Sequence, residues 1–412
     1  MTLVNRCRVH RGLDALPRLA AGGTGPVLLV HDAALDGNPG LAACHRLLAQ
    51  SGAPVRVVPV PGACSLDDAR ALAPRLTGGR LVVAVGGGSL LDTAKLALAV
   101  ADPLVARILA APQRSGWVLG PDRPRPVPLA AVPTTLGTAA EVSGIVSYVH
   151  QEQKRAFTSL ALQPEAALLD ARCTEGLPGH LLVEGALELI LRGVGPVAGS
   201  TGPWTAADEA ALRLGAEAAA LLSGIGATGA ATAAERTALA ELSVATQEAQ
   251  LLEDRLPFTV KIWFLANNLA HRLGLRKMTA LANLVPGYWR HLAARDAAGA
   301  DRVARTWAAL RGAVLAASPT APAPLPADPA EGFAAWLALL GVAPAPAPAP
   351  ADTEAVVASC LRMWGGGLPM LAGLGAAELR LLLGDLRVLR PPTPAYRAGA
   401  LITTHRGGRK TP

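Results

Sequence analysis

Residues Leu81–Lys95 read LVVAVGGGSLLDTAK, and this stretch decides the fold. Its first five residues, Leu81–Val85, form an unbroken apolar run, which is typical of a strand buried on both faces of a parallel sheet. Three glycines follow it, namely Gly86, Gly87 and Gly88. Because glycine carries no Cβ atom, this segment can turn sharply and a ligand can approach its backbone closely.

The residues after the glycines have helical spacing, and they predict that a helix N-terminus follows the turn. Ser89 is predicted as the N-cap and Asp92 is predicted in the first turn. A strand, a glycine turn and a helix N-terminus together provide free N–H groups and a positive dipole end for a phosphate. The string is neither GxGxxG nor a Walker loop, and a tight turn without a ligand is the alternative interpretation.

The chain has 412 residues, which is enough for two domains with separate cores. Hydrophobic residues make up 51% but aromatic residues only 3%, which predicts helices packed through small side chains. The net charge of +7 comes from scattered arginines, so we predict no nucleic-acid partner. Five widely spaced cysteines, no apolar run that would span a bilayer and no signal-peptide pattern predict a cytoplasmic protein without a membrane partner.

Strand and helix patterns alternate up to Pro178, and only helical spacing follows. The predicted fold class is α/β, with an N-terminal doubly wound Rossmann-like domain followed by an all-α C-terminal domain. We predict a dinucleotide-binding domain at 1–178, a helical domain with Pro/Ala-rich insertions at 179–395, and a disordered basic tail at 396–412.

Polar residues follow two further predicted strands. Asp32 ends the strand PVLLVH, where a carboxylate can bind an adenosine ribose and repel a 2′-phosphate. Thr134, Thr135 and Thr138 lie in PTTLGTAAEVS, after the strand PVPLAAV, and their hydroxyls can bind a ribose or a carboxamide. Capping of the next turn by Asp32 and a structural threonine loop are the alternatives.

The strings GGGSxxDxAK and PTTLGTAAEVS together resemble the iron-containing alcohol dehydrogenase family, relatives of dehydroquinate synthase and glycerol dehydrogenase. The resemblance implies hydride transfer on a small alcohol or aldehyde, NAD or NADP as cofactor with NAD preferred, and a homodimer. It also implies that the following residues line the cofactor: Asp32, Gly86, Gly87, Gly88, Ser89, Asp92, Thr134, Thr135, Thr138 and Lys154.

The resemblance fails at the metal site, where the family uses an Asp and three His residues. Aligned without gaps from Leu177, the Asp position holds Glu188 and the first His position holds Arg192. The next His position holds Asn267, and the last falls near Leu281. Arginine stays protonated and cannot bind a metal, so we predict no metal, and an i,i+4 ion pair between Glu188 and Arg192 in its place.

Three interpretations of the chemistry remain open at this point. The chain transfers hydride without a metal, with Arg192 stabilising the oxyanion beside Glu188 and His271 acting as the general base. Alternatively, it is a catalytically silent NAD-binding subunit in a biosynthetic, for example peptide-modifying, pathway. In the third interpretation the pocket serves non-redox chemistry or a peptide or protein partner. The sequence favours the first, with a small alcohol or aldehyde, or a peptide-linked group, as substrate.

Overall fold

The computed structural model describes residues 6–62, 64–248, 251, 258–317 and 325–386. The predicted tail at 396–412 lies outside these residues. The strands are β1 (Arg8–Arg11), β2 (Val27–Asp32), β3 (Val55–Val60), β4 (Leu81–Gly86), β5 (Trp117–Leu119), β6 (Leu129–Pro133), β7 (Ile145–His150), β8 (Gln153–Thr158) and β9 (Ala166–Leu169).

Six of these strands form a parallel sheet in the order β1-β9-β6-β4-β2-β3. The side chains of β4 alternate between two apolar layers: Val82 and Ala84 pack on one face, and Leu81, Val83 and Val85 pack on the other. Both faces of the strand are therefore covered, which explains the unbroken apolar run. Strand β1 lies at one edge of this sheet, where it pairs with β9.

The chain direction across the sheet reverses between β2 and β4. From β2 the chain proceeds outward to β3, returns past β2 to form β4, and then continues to β6 and to β9, which lies between β6 and β1. In open α/β sheets a ligand binds where the strand order reverses, at the carboxyl ends of the strands. Here those ends are Asp32 on β2 and Gly86 on β4.

A second sheet of three strands, in the order β5-β8-β7, was not predicted from the sequence. Strands β7 and β8 form an antiparallel hairpin, and β5 pairs in parallel with β8. The hairpin turn contains Gln151 and Glu152, which both have positive φ angles. This sheet carries Lys154 and packs beside the helix that follows the glycine turn.

Every element described after residue 178 is helical, which confirms the predicted fold class. The helices of the N-terminal part are α1 (Leu16–Ala20), α2 (Pro39–Ala49), α3 (Leu66–Leu76), α4 (Gly88–Val100) and α5 (Pro103–Ala110). The later helices are α6 (Gly179–Gly199), α7 (Ala206–Thr228), α8 (Ala233–Ala245), α9 (Ile262–Leu273), α10 (Lys277–Arg295), α11 (Ala297–Ala317), α12 (Pro329–Leu339), α13 (Pro350–Trp364) and α14 (Ala376–Asp385). Across the described residues, none of these helices has the length and apolarity needed to span a bilayer.

Candidate functional site

The glycine turn joins β4 directly to α4. Gly86 is the last residue of β4, Gly87 is the N-cap with φ −71° and ψ 175°, and Gly88 is the first helical residue. The prediction that Ser89 caps the helix is wrong, because the chain is already helical at Gly88. Asp92 consequently lies in the second turn, not the first. Gly87 offers no capping side chain, so no N-cap oxygen occupies the first-turn N–H groups.

The threonine loop packs against this turn. A Cβ atom on Gly87 would lie 3.1 Å from the Thr135 methyl group, and one on Gly88 would lie 2.9 Å from that of Thr138. The backbone N–H of Thr134 donates to the carbonyl of Gly86 at 3.0 Å. The structure therefore brings the two sequence motifs together. Thr134 is buried, whereas Thr135 and Thr138 are half-buried at the rim.

The same loop contacts the helical domain through two glycines. A Cβ atom on Gly137, which has a φ of +88°, would lie only 1.8 Å from the carbonyl oxygen of Gly185 on α6. Any larger residue at Gly137 would force the loop away from α6. This contact positions the part of α6 that carries Glu188 beside the threonine loop.

Asp32 ends β2 at the point where the strand order reverses. Its carboxylate accepts a hydrogen bond from the Ala34 N–H at 2.9 Å, which caps the short turn after the strand. A Cβ atom on Gly62 would lie 2.6 Å from its second oxygen, so the loop after β3 packs closely against the carboxylate. The capping interpretation of Asp32 is thus observed, and its predicted contact with a ribose stays a prediction.

Asp92 faces β7 and the loop before it, where the structure gives it a supporting role. Its carboxylate accepts from the Ser147 N–H at 2.9 Å and forms an ion pair with Lys95 at 2.9 Å. Lys95 is fully buried and donates to the carbonyls of Ala140, Ser143 and Ile145. Asp92 and Lys95, the charged residues of the GGGSxxDxAK string, therefore hold the segment after the threonines in place. Sequence reasoning assigned no role to Lys95, although a lysine within an apolar helix was a signal.

Three charged side chains meet on the helical side of this site. The Glu188 carboxylate is 2.9 Å from Nη2 of Arg192 and 2.5 Å from Nζ of Lys277, and both contacts use the same oxygen. The predicted Glu188–Arg192 ion pair is confirmed. Lys277 was missed, because it is the first residue of α10 and no helical spacing relates it to α6.

Burial and the neighbouring positive charges shift the pKa of Glu188 in opposite directions. Burial alone would raise the pKa of Glu188, but the charges of Lys277 and Arg192 outweigh it and hold that pKa below its ordinary value. Burial lowers the pKa of Arg192 despite the neighbouring Glu188 and Glu141 carboxylates. The Arg192 guanidinium also donates to the Thr246 hydroxyl at 3.3 Å, so both of its terminal nitrogens are held.

Two further ionisable groups, Lys154 and Glu141, interact electrostatically with Glu188 and with one of its two cations. Burial, and then the positive charge of Lys277, lower the pKa of Lys154 on β8. Glu141 is 3% exposed, and burial raises the pKa of its carboxyl. Its Oε2 has no hydrogen-bond partner among the described residues. We call Lys154, Arg192 and Lys277 the cationic cluster.

His271 lies on the exposed end of α9. Its Nε2 is 2.7 Å from the backbone carbonyl of Glu152 in the β7–β8 turn. Among the described residues, its hydrogen bond is to this carbonyl and not to Glu188 or the cationic cluster. The role of general base predicted for His271 stays a prediction.

Comparison with known proteins assigns the N-terminal domain. A sequence profile described as iron-containing alcohol dehydrogenase matches residues 8–171, which span β1 to β9. Over these residues the chain matches the iron-containing alcohol dehydrogenase family. The match ends before α6, so it does not include Glu188, Arg192 or Lys277.

A curated relative and two solved structures give the extent of the likeness. The chain is 37% identical to the probable alcohol dehydrogenase EutG of Salmonella typhimurium over 142 residues, which cover 33% of this chain and 34% of that protein. The aligned part thus spans about a third of that relative's length. An iron-containing alcohol dehydrogenase from Thermococcus thioreducens superposes with a TM-score of 0.72 at 18% identity, over 92% of this chain and 98% of that one.

Sulfoacetaldehyde reductase from Bifidobacterium kashiwanohense, solved with NAD+, superposes with a TM-score of 0.68 at 16% identity, over 93% of this chain and 97% of that one. At these identities the structural likeness shows the shared fold alone. It extends that fold to the helical half, which the profile does not match.

The positions to which the resemblance assigned the metal ligands do not fit a divalent cation. Glu188 already has two side-chain cations within 2.9 Å. Leu281 is buried and apolar, and Asn267 offers a single buried oxygen. Across the part of the chain that is described, no group of three or more His, Cys, Asp and Glu side chains could hold a metal ion. Two fixed cations beside Glu188 would repel a third, so this donor set opposes metal binding.

Proposed function

We propose that the chain is an NAD(P)-linked oxidoreductase that acts on a small alcohol or aldehyde without a metal ion. The observation that carries this proposal is the packing of the Gly86–Gly88 turn against Thr135 and Thr138 where the strand order reverses. The uncapped N-terminus of α4 suits a diphosphate at this place. When bound, the nicotinamide would supply or accept the hydride. The NAD+ complex of the similarly folded reductase supports this assignment.

NAD is the proposed cofactor in preference to NADP. Asp32 ends β2 beside the glycine turn, and its carboxylate would accept hydrogen bonds from ribose hydroxyls. A 2′-phosphate would place negative charge against this carboxylate and be repelled.

The side chains of α6 and α10 are proposed to replace the metal's charge. Arg192 and Lys277 hold two positive charges beside the carboxylate of Glu188. Placed near the reacting oxygen, Arg192 would stabilise negative charge as it develops there. Glu188 fixes the positions of both cations. His271 is retained as the proposed base for the proton of the alcohol, in a position that leaves its Nδ1 available beside solvent.

Calorimetric titration of the purified chain with NADH and NADPH tests the cofactor. We expect NADH to bind and NADPH to bind at least ten-fold more weakly. Gly87→Val should abolish NADH binding, because its side chain would meet Thr135 and fill the space of the phosphate. Gly176→Val is the matched control, since a Cβ atom at Gly176 meets nothing within 4 Å. Equal NADH affinity in wild type and Gly87→Val would refute the proposed site.

A catalytically silent NAD-binding subunit is the second candidate. The observation that favours it is the loss of the family's metal-binding donor set, which leaves Leu281 and Asn267 at ligand positions. The two candidates predict the same NADH binding and differ in turnover. NADH oxidation with aldehydes supports the first, and binding without turnover over a panel of aldehydes and ketones supports the second.

The assembly and compartment remain proposals as well. Edge strand β1 is available for pairing across a homodimer interface, because β9 covers only one of its two sides. Light scattering of the purified chain distinguishes a dimer from a monomer. A cytoplasmic location is proposed from the wide spacing of the five cysteines, among which there is no CxxC pair.

A further inference from the structure

We propose that the substrate of this site carries a permanently anionic group, a carboxylate, sulfonate or phosphonate, and that Lys277 of the cationic cluster binds it, next to the reacting oxygen that Arg192 stabilises. This inference rests on the proposed oxidoreductase function and names its substrate class. It starts from the charges that surround Glu188.

The cluster contains more positive than negative charge. Lys154, Arg192 and Lys277 each interact electrostatically with Glu188, and Glu188 is the carboxylate in contact with two of them. Glu141 is the other carboxyl that faces Arg192. Even if Glu141 is ionised, three cations face two carboxylates. Asp92 does not alter this balance, because Lys95 neutralises it.

The side chains that carry this excess positive charge are partly buried. Their burial costs free energy unless an anion lies beside them. The side chains of Arg192 and Lys277 are only 18% and 27% exposed. Uncompensated charge in such a place destabilises the protein, and a bound anion would relieve that cost. An anionic ligand would also be attracted at long range by the same groups.

Lys277 has unused capacity to bind such a group. An ammonium has three donors, and its described hydrogen bond goes to Glu188. Its second contact is the ring of Trp263, 5.4 Å from Nζ to the centroid. Lys277 is also the first residue of α10, whose N-cap provides no side-chain cap, so the positive end of a 19-residue helix adds to its charge. Arginine and lysine side chains are the usual ligands of carboxylate and phosphonate oxygens.

The cluster lies beside the proposed cofactor site. Glu188 is three residues beyond Gly185, whose carbonyl touches Gly137 of the threonine loop. A small substrate held there by its anionic end would keep its carbonyl close to that loop. In the reductive direction its carbonyl carbon gains a hydride from NAD(P)H and its oxygen gains a proton. The products are an alcohol and NAD(P)+, and the anionic group is unchanged.

The first experiment needs neither cofactor nor turnover. Calorimetric titration of the cofactor-free chain with methanesulfonate, and with its neutral near-isostere dimethyl sulfone, measures the anion site directly. We expect methanesulfonate to bind and dimethyl sulfone not to bind. Lys277→Met should weaken methanesulfonate binding at least ten-fold, and Lys277→Arg should retain most of it. Equal binding of the two ligands to the wild-type chain would overturn the inference, whether or not any variant folds.

Arg276→Met is the matched control, because Arg276 is the preceding residue but pairs with Glu184. We expect it to bind methanesulfonate as the wild type does. Loss of binding in Arg276→Met equal to that in Lys277→Met would indicate a general charge effect and overturn the site.

The second experiment compares kcat/KM for sulfoacetaldehyde with that for its neutral methyl sulfone analogue, using NADH. We expect the wild type to prefer the sulfonate at least ten-fold, and Lys277→Met to lower this ratio at least ten-fold. NADH binding with preference for the sulfone would overturn the inference and leave the proposed function intact. Absence of NADH binding would refute the proposed function, and methanesulfonate titration would still decide the anion site.

Discussion

Lys277 Nζ lies 2.5 Å from a carboxylate oxygen of Glu188, and these two residues join the first turn of α10 to the middle of α6. Arg192 holds the same oxygen from one turn further along α6. The carboxylate that the resemblance assigned to a metal is thus occupied by two side-chain cations. Side chains of the chain itself, Arg192 and Lys277, therefore supply the positive charge beside Glu188.

Glu188→Gln should destabilise the protein because it leaves Arg192 and Lys277 partly buried without their counter-charge. We expect a loss of about 2–4 kcal/mol in the free energy of unfolding, measured by urea denaturation at pH 7. The exposed Glu354–Arg380 pair is the control, and Glu354→Gln should cost less than about 1 kcal/mol. Equal losses in the two variants would show that Glu188 contributes no more than a surface pair.

The pH dependence of stability gives a second test of Glu188. Its pKa is lower in the folded chain than in the unfolded chain, so its ionised form stabilises the fold. This contribution is complete above the unfolded value of about 4.3 and is lost as pH falls through the folded value. The stability difference between wild type and Glu188→Gln should therefore shrink as pH falls below about 4.3. A difference that stays constant down to pH 3 would contradict the assignment.

Glu141 should show the opposite pH dependence. Burial raises its pKa in the folded chain, so the folded state binds the proton more tightly than the unfolded state does. Stability then falls as pH rises from about 4.3 through the folded pKa. Glu141→Gln should remove this part of the slope in urea denaturation measured from pH 4 to pH 8. Glu152→Gln, an exposed carboxylate on the β7–β8 turn, is expected to follow the wild-type profile.

The N-terminal half was predictable because its signals are local. The apolar run of Leu81–Val85 and the three glycines specify a buried strand and a turn by their composition alone. The N-cap was predicted at the wrong residue because a helix can begin at a glycine, here Gly88, that follows an extended residue, here Gly87. Ser89 was a better N-cap by residue type, but Gly87 has the extended backbone of an N-cap and the helix begins at Gly88.

The helical half was less predictable because its contacts join residues far apart in sequence. The Glu188–Arg192 pair follows from i,i+4 spacing on one helix, and the structure confirms it. The contact of Lys277 with Glu188 spans 89 residues and depends on how α6 packs against α10. No periodicity encodes that distance. The β5-β8-β7 sheet escaped prediction for the same reason, since β5 is only three residues long and pairs with a distant strand.

Chelation should leave this protein unchanged. Because Arg192 and Lys277 occupy the space beside Glu188, we expect less than about 0.1 equivalent of Fe or Zn per chain, by the repulsion between like charges. Dialysis against EDTA should change neither the melting temperature nor NADH affinity. Elemental analysis and a thermal scan on the same sample provide the measurement. A rise in melting temperature on adding Fe²⁺ or Zn²⁺ that Glu188→Gln abolishes would show that Glu188 is a metal ligand after all.

Lys95 provides the sharpest test of what the GGGSxxDxAK string does in this chain. Lys95→Met would leave the Asp92 carboxylate and three backbone carbonyls without their shared donor. We expect a loss of about 3–5 kcal/mol in the free energy of unfolding, because a buried charge then lacks its partner. Lys261→Met is the matched control, since Lys261 is only half-buried and donates to one carbonyl, that of Ala372. It should cost about 1 kcal/mol or less.

The Lys95 variant should also weaken cofactor binding, because the segment from Ala140 to Ile145 directly follows Thr138. The Ser147 N–H donates a hydrogen bond to Asp92, so its rate of hydrogen exchange reports on whether that segment has loosened. We expect faster exchange at Ser147 together with weaker NADH binding in Lys95→Met, and neither change in Lys261→Met. Faster exchange with unchanged NADH affinity would contradict this prediction and show that the segment after the threonines does not contribute to cofactor binding.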